Sequence, residues 1–144
     1  MHKDKVYNGN WSEITKAFNA ARIENDDAVL VLLDTDCERC PKEIASTLLR
    51  DLRSLATDLR VGLALAHCEF ESWFVAPGAS LGIQRLQHAE SLRGAKEWLT
   101  KQMKTTYSPT VHQTSFAATM DLDECRANSR SFRHLCTTLE ALLE

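Results

Sequence analysis

Apolar positions recur at helical spacing from the start of the chain. Trp11, Ile14, Phe18 and Ala21 follow the opening Asn10-Trp11-Ser12-Glu13, and Asn25-Asp26-Asp27 closes the pattern. Ala28-Val29-Leu30-Val31-Leu32-Leu33 is an unbroken apolar run, too short for a helix of its own. Flanked by acidic turns, it predicts a strand buried on both faces, the kind found in parallel sheets. Pro41 stands where a helix begins, and Ile44, Leu48, Leu52, Leu55 and Leu59 form its apolar stripe. Val61 to Ala66 reads as a second buried strand. Strand, helix and strand over residues 28–66 predict a βαβ unit with a right-handed crossover.

Past Glu71 the strand pattern stops. Ser72 to Ala76 reads as helical and Pro77-Gly78-Ala79-Ser80 as a turn. Ala95, Trp98, Leu99 and Met103 mark a helix near 92–104; Val111, Phe116 and Met120 mark another near 110–120. Phe132, Leu135, Cys136, Leu139, Leu142 and Leu143 define the last helix, capped by Ser129 or Ser131. With no internal repeat and no linker, the expectation is one α/β domain over 1–144. It has a small, mostly parallel sheet flanked by helices, a βαβ core at 28–76 and a helical part at 77–144. Two parallel strands leave an unpaired edge each, which is a poor core. A further strand in the first ten residues, where Lys5-Val6-Tyr7 is the candidate, or another chain or segment would complete the sheet.

Composition changes this picture little: 144 residues, 44% hydrophobic and 26% charged, are those of a globular chain able to bury a core without disulfides. The formal charge of −3 excludes a globally basic nucleic-acid coat. Its distribution is informative. Residues 1–71 carry 13 acids and 9 bases, whereas residues 72–144 carry 7 acids and 8 bases. Arg85, Arg93, Lys96, Lys101 and Lys104 form a local positive excess, either a solvated helix face or a surface turned to phosphate. No run approaches the roughly 18 apolar residues of a transmembrane helix, and no signal-peptide core follows Met1. A cytoplasmic chain with reduced thiols is therefore expected, and the odd count of five cysteines argues against a fully paired disulfide framework.

The acidic residues at the strand ends carry the chemistry. Asp34 and Asp36, two apart on an extended segment, project the same way from the carboxyl end of the first strand. That end is where open α/β sheets bind ligands. The second strand runs into His67-Cys68-Glu69-Phe70-Glu71, again with two carboxylates two apart. If the strands are neighbours, four carboxylates share one rim, and a hard cation such as Mg²⁺ or Mn²⁺ would neutralise them and could hold a phosphate. The plainer alternative is that Asp34 and Asp36 only cap the following helix.

Cys37-Glu38-Arg39-Cys40-Pro41 places a C-x-x-C after a buried strand and at a helix start, as in thioredoxin-like oxidoreductases. The acids around it raise a thiol pKa, and zinc there would need two further ligands; His67 and Cys68 are adjacent in sequence, so both binding one ion with this pair is strained. Incidental thiols, zinc and redox work stand in that order. His88, His112 and His134 read as surface or satisfied histidines, Cys125 and Cys136 as packing residues, and Trp73 and Trp98 as core anchors. No nucleophile elbow and no Gly-rich phosphate loop is present, so the chain is not expected to bind ATP by itself.

Several ordered segments carry a resemblance: Val29 to Asp36, then Glu69-Phe70-Glu71-Ser72-Trp73-Phe74, then Arg93-Gly94-Ala95-Lys96-Glu97-Trp98-Leu99. Tyr107-Ser108-Pro109-Thr110 and Ser129-Arg130-Ser131-Phe132 follow. Over residues 28–143 the chain resembles the bacterial domain of unknown function 4276 family. The resemblance implies a Toprim-like α/β domain with Mg²⁺-dependent phosphodiester (nuclease-type) chemistry, working with a P-loop ATPase in phage defence. It implies metal ligation by Asp34 and Asp36, ligation or general-base work by Glu71, and a phosphate contact by Lys96; the strand-end pattern adds Glu69 as a further metal ligand. The family's N-terminal strand, with its Glu-Gly turn, would precede this chain, which has no Glu-Gly and carries His112 where an acid is expected before Gln113. The chain is accordingly expected to be short by a strand. A non-catalytic binding subunit of such an assembly, inactive because the first-strand Glu is absent, is the alternative to a nuclease. A thioredoxin-like thiol oxidoreductase using Cys37 and Cys40 is a third reading. Nucleic acid and a second copy of the chain (a homo-oligomer) are the further candidate partners.

Overall fold

The computed structural model describes residues 6–35, 37–38 and 40–144. Helix α1 (Ser12–Glu24) buries Ile14, Phe18 and Ala21, which lie on one stripe, and ends where Asn25 adopts the left-handed conformation at φ 59°. Strand β1 (Ala28–Asp34) leads to helix α2 (Pro41–Leu55), with proline in its first turn and Leu48 and Leu52 buried. Strand β2 (Arg60–Ala66) returns parallel to β1, in a register running from Ala28 opposite Arg60 to Asp34 opposite Ala66. The βαβ unit forms as its apolar pattern predicts.

Alternation along the two strands sorts their side chains into two layers. Val29, Val31 and Leu33 with Val61, Leu63 and Leu65 face α1 and α2, around Phe18 and Leu52. Leu32 and Ala66 face the second half of the chain. That half is helical: α3 (Ser72–Val75), 3-10 turns at Gly78–Leu81 and Ala89–Ser91, α4 (Ala95–Met103), α5 (Pro109–Thr119), α6 (Leu122–Asn128) and α7 (Arg130–Leu143). Its core is an aromatic cluster in which Phe70, Trp73, Phe74, Phe116 and Phe132 meet edge-on or tilted. Helix α7 lies directly on β2, so closely that a Cβ on Gly62 would come within 2.7 Å of Leu142 Cδ1 and Thr138 Cγ2. Among the described residues the sheet has two strands, and helical layers on both faces bury β2 from Val61 to Ala66.

Three expectations are corrected, and one helix is new. Val6 and Tyr7 lie in a helical turn, closed by the Gly9 amide on the Val6 carbonyl, and are not a strand; Lys5 lies outside the described residues. Val6 is buried in the β1 layer and the Tyr7 hydroxyl donates to the Asp34 carbonyl at 2.8 Å, so this turn covers the end of β1. The stripe of α2 stops at Leu55, because Ala56 leaves helical geometry at φ −145°, and Leu59 packs from the connecting loop. The turn at Pro77 to Ser80 is the start of a 3-10 helix. Finally, α6 had no expectation, although Asp121 caps it by accepting from the Glu124 amide at 2.8 Å. No helix among the described residues is long and apolar enough to cross a membrane.

Candidate functional site at the carboxyl end of the sheet

Parallel strands deliver their carboxyl ends to one rim, and the segment Cys68 to Trp73 crosses it. Cys68 turns the chain at φ 62°, its amide held by the Thr35 hydroxyl at 3.3 Å while that hydroxyl donates to the Ala66 carbonyl. Asp34 Oδ1 accepts from the Phe70 amide at 3.0 Å, which fixes the crossing segment to the end of β1. Asp36 lies outside the described residues.

The two glutamates of this segment differ sharply. Glu71 is 1% exposed, and its Oε1 accepts from the Tyr107 hydroxyl and Gln113 Nε2, both at 3.3 Å. Glu69 is half-buried. Its Oε1 accepts from the Gly94 amide at 3.2 Å, at the start of α4, so it occupies the positive end of a helix as an anion would. Its Oε2 is buried without a hydrogen-bond partner. Lys96 Nζ stands between the pair, 3.9 Å from Glu69 Oε2 and 3.5 Å from Glu71 Oε2. At 3.9 Å the first contact is ionic and not a hydrogen bond. Burial, then the charge and hydrogen bond of Glu71, push the Tyr107 hydroxyl well above the usual phenol range, so it stays a donor.

Beside Glu69 the surface sinks into a depression of about 380 Å³ lined by Cys37, Glu38, Glu69, Arg93 and Gly94. Arg93 bridges loosely to Glu38 across it at 3.8 Å, with both side chains largely exposed. One wall is a disulfide: Cys37 is bonded to Cys68, with Cα atoms 4.3 Å apart, and Cys40 is free and exposed. The expectation of reduced thiols is corrected here. The positive-φ turn at Cys68 brings it onto the loop after β1, whereas the C-x-x-C partner Cys40 is the exposed, extended residue that leads into α2.

The rim thus brings together Asp34, Glu69, Glu71 and Lys96. Among the described residues no three His, Cys, Asp or Glu side chains are arranged to hold a metal ion. Sequence reasoning did not assign Tyr107, Gln113, Gly94 or Cys68 to the site. Tyr107 and Gly94 lie inside segments that carry the resemblance, but nothing in their spacing reveals which carboxylate each meets.

A second network joins the remaining segments. Glu90 Oε1 accepts from the hydroxyls of Ser129 and Ser131 and from the Ser131 amide at the start of α7, and Trp73 Nε1 donates to the Ser131 hydroxyl at 2.8 Å. Ser129 in turn caps the helix by accepting from the Phe132 amide at 3.0 Å. Burial works to raise the Glu90 pKa, but the hydrogen bonds from Ser131 and Ser129 outweigh it and hold the carboxyl below its ordinary value. Every segment that carried the resemblance therefore converges on residues 69–73. A family model, the domain of unknown function DUF4276, matches residues 2–140. The chain belongs to the DUF4276 family. No curated protein and no solved structure matches it. For this DUF4276 chain, then, the site itself is the basis for a functional reading.

Proposed function

We propose that the carboxyl rim is a divalent-cation-dependent site acting on phosphodiesters, as in a nuclease. The observation that carries this reading is the carboxyl end of two parallel strands, where Asp34 fixes the crossing segment that presents Glu69 to Lys96 and to an open depression. The donor set fits Mg²⁺ or Mn²⁺ in chemistry: carboxylate oxygens from Asp34 and Glu69, one of them buried without a hydrogen-bond partner, with Asp36 close in sequence. When bound, such a cation supplies Lewis-acid stabilisation of charge on a phosphoryl oxygen.

The remaining roles belong to this chain's own groups. Lys96 is 43% exposed at its side chain and reaches from the buried carboxylates to the surface, so it is suited to meet a phosphate oxygen. Glu71, fully covered, positions Lys96 and is itself oriented by Tyr107 and Gln113. The start of α4 and Arg93 add positive potential at the depression. From what the resemblance implies, the further proposal is a role in phage defence beside a P-loop ATPase.

A non-catalytic binding subunit is the second reading. It is favoured by the commitment of Glu71 to Tyr107, Gln113 and Lys96 and by the missing three-residue metal cluster among the described residues. The test is incubation with end-labelled DNA and RNA, single- and double-stranded, in Mn²⁺ or in EDTA, alone and with the co-expressed neighbouring ATPase. Mn²⁺-dependent cleavage lost in Lys96→Met supports the nuclease reading. Binding without cleavage, unchanged by EDTA, supports the second and overturns the first.

A further inference from the structure

The C-x-x-C pair does not close on itself in the folded chain: Cys37 is bonded to Cys68, and Cys40 is left free and exposed three residues further on. The two bonded sulfurs are covered unequally. Cys68 is 3% exposed, whereas Cys37 is half-buried and lines the depression beside Glu69. A thiol attacking this bond therefore meets Cys37 first. Cys40 is the free thiol tethered nearest to it, at a spacing that closes a disulfide ring in thiol oxidoreductases. Its own backbone is set by α2, where the Glu43 and Ile44 amides donate to its carbonyl. The other two cysteines stand in the second layer. Cys125 is buried with its thiol donating to the Trp73 carbonyl at 3.3 Å, and Cys136 packs against the same aromatic core.

Cys68 also holds an uncommon backbone. At φ 62° it occupies the left-handed region, which a residue with a Cβ adopts only where its surroundings hold it. Two contacts do so here, the disulfide on its side chain and the Thr35 hydroxyl on its amide. Opening the bond removes one of them. We propose that Cys37, Cys40 and Cys68 form a thiol–disulfide exchange site at the rim. The Cys40 thiolate attacks Cys37 Sγ, so that a Cys37–Cys40 bond forms as the Cys37–Cys68 bond breaks. The Cys68 sulfur leaves as a thiolate and takes up a proton in place of the one Cys40 gave to solvent. One disulfide is present before and after, so no oxidant or reductant is consumed. What changes is the span of the link. A bond joining residues 31 apart in sequence gives way to one within a single loop, and the Cys68 to Trp73 segment loses its covalent tie to the end of β1. The placement of Glu69 thereby answers to thiol chemistry.

The test uses the full oxidised chain without added thiol, held near the free-thiol pKa of about 8.5. Samples are quenched in acid, alkylated with N-ethylmaleimide and mapped by peptic digestion and mass spectrometry. Two species are expected, Cys37–Cys68 with the label on Cys40 and Cys37–Cys40 with the label on Cys68, each regenerating the other after separation. Cys40→Ser, with a residue favoured at a helix start, should keep the Cys37–Cys68 bond and leave Cys68 unlabelled. Dithiothreitol should reduce that variant about tenfold more slowly than the natural chain, at concentrations below the millimolar effective concentration of a thiol on a short tether. Label on Cys68 that appears only in urea, a Cys40–Cys68 bond in the folded chain, or equally fast reduction of Cys40→Ser overturns the proposal.

Discussion

Glu71 and Glu90 are both carboxylates tied to segments distant in sequence, yet they do different work. Glu71 is covered, and its hydroxyl and amide donors would be stranded in the core if it were truncated. Tyr107→Phe removes one of those donors and should lower stability by about 1 kcal/mol in urea titration, a small loss because Gln113 and Lys96 remain. Glu90 gathers two serine hydroxyls and one amide at the start of α7. Glu90→Ala should lose about 2 kcal/mol, since three donors lose a charged acceptor. Its depressed pKa gives the sign of a pH effect. The stabilisation is full above the unfolded carboxylate value, about 4.3, and is lost as pH falls through that value towards the lower folded one. Glu90→Gln should flatten part of the acid limb of a stability–pH curve. The exposed Asp58, held to about 2 by the Arg22 guanidinium, remains to shape the rest, and that remainder should shrink in high salt.

At the scale of elements, the close seat of α7 on β2 depends on Gly62. Gly62→Val should destabilise by about 1–3 kcal/mol in thermal or urea unfolding, because Leu142 and Thr138 must move to admit the branched side chain. The Cys37–Cys68 bond ties the loop after β1 to the loop after β2 across a sequence separation of 31. Cys68→Ser should lower the unfolding free energy by about 3 kcal/mol under non-reducing conditions, and a reductant should bring the natural chain to the same value. The elements were largely legible in the sequence because periodicity reports burial. The Ala28 to Leu33 run and the Ile44, Leu48, Leu52 stripe needed no tertiary information. What periodicity does not report is which loop meets which. Val6 and Tyr7 were misread because a short apolar pair lacks a period, and Cys68 was not matched to Cys37 because a left-handed turn, not spacing, brings them together. The acidic rim was legible as a set of carboxylates. Their donors were not, since Tyr107, Gln113 and Gly94 arrive from separate helices.

For the molecule as a whole, two parallel strands hold together because helices sandwich them and because the crossing segment 68–73 is pinned from every side. Asp34 grips its amide, Gly94 its first glutamate, Tyr107 its second and Ser131 its tryptophan. The same convergence sets Lys96 between Glu69 and Glu71, beside the cation position proposed at Asp34 and Glu69. Calorimetric titration with Mn²⁺ tests this most directly, comparing the natural chain with Asp34→Asn and Glu69→Gln, each checked for an unchanged circular dichroism spectrum. The account predicts a saturable heat for the natural chain that both substitutions remove. Titration without a saturable heat, or a heat that survives both substitutions, would contradict it.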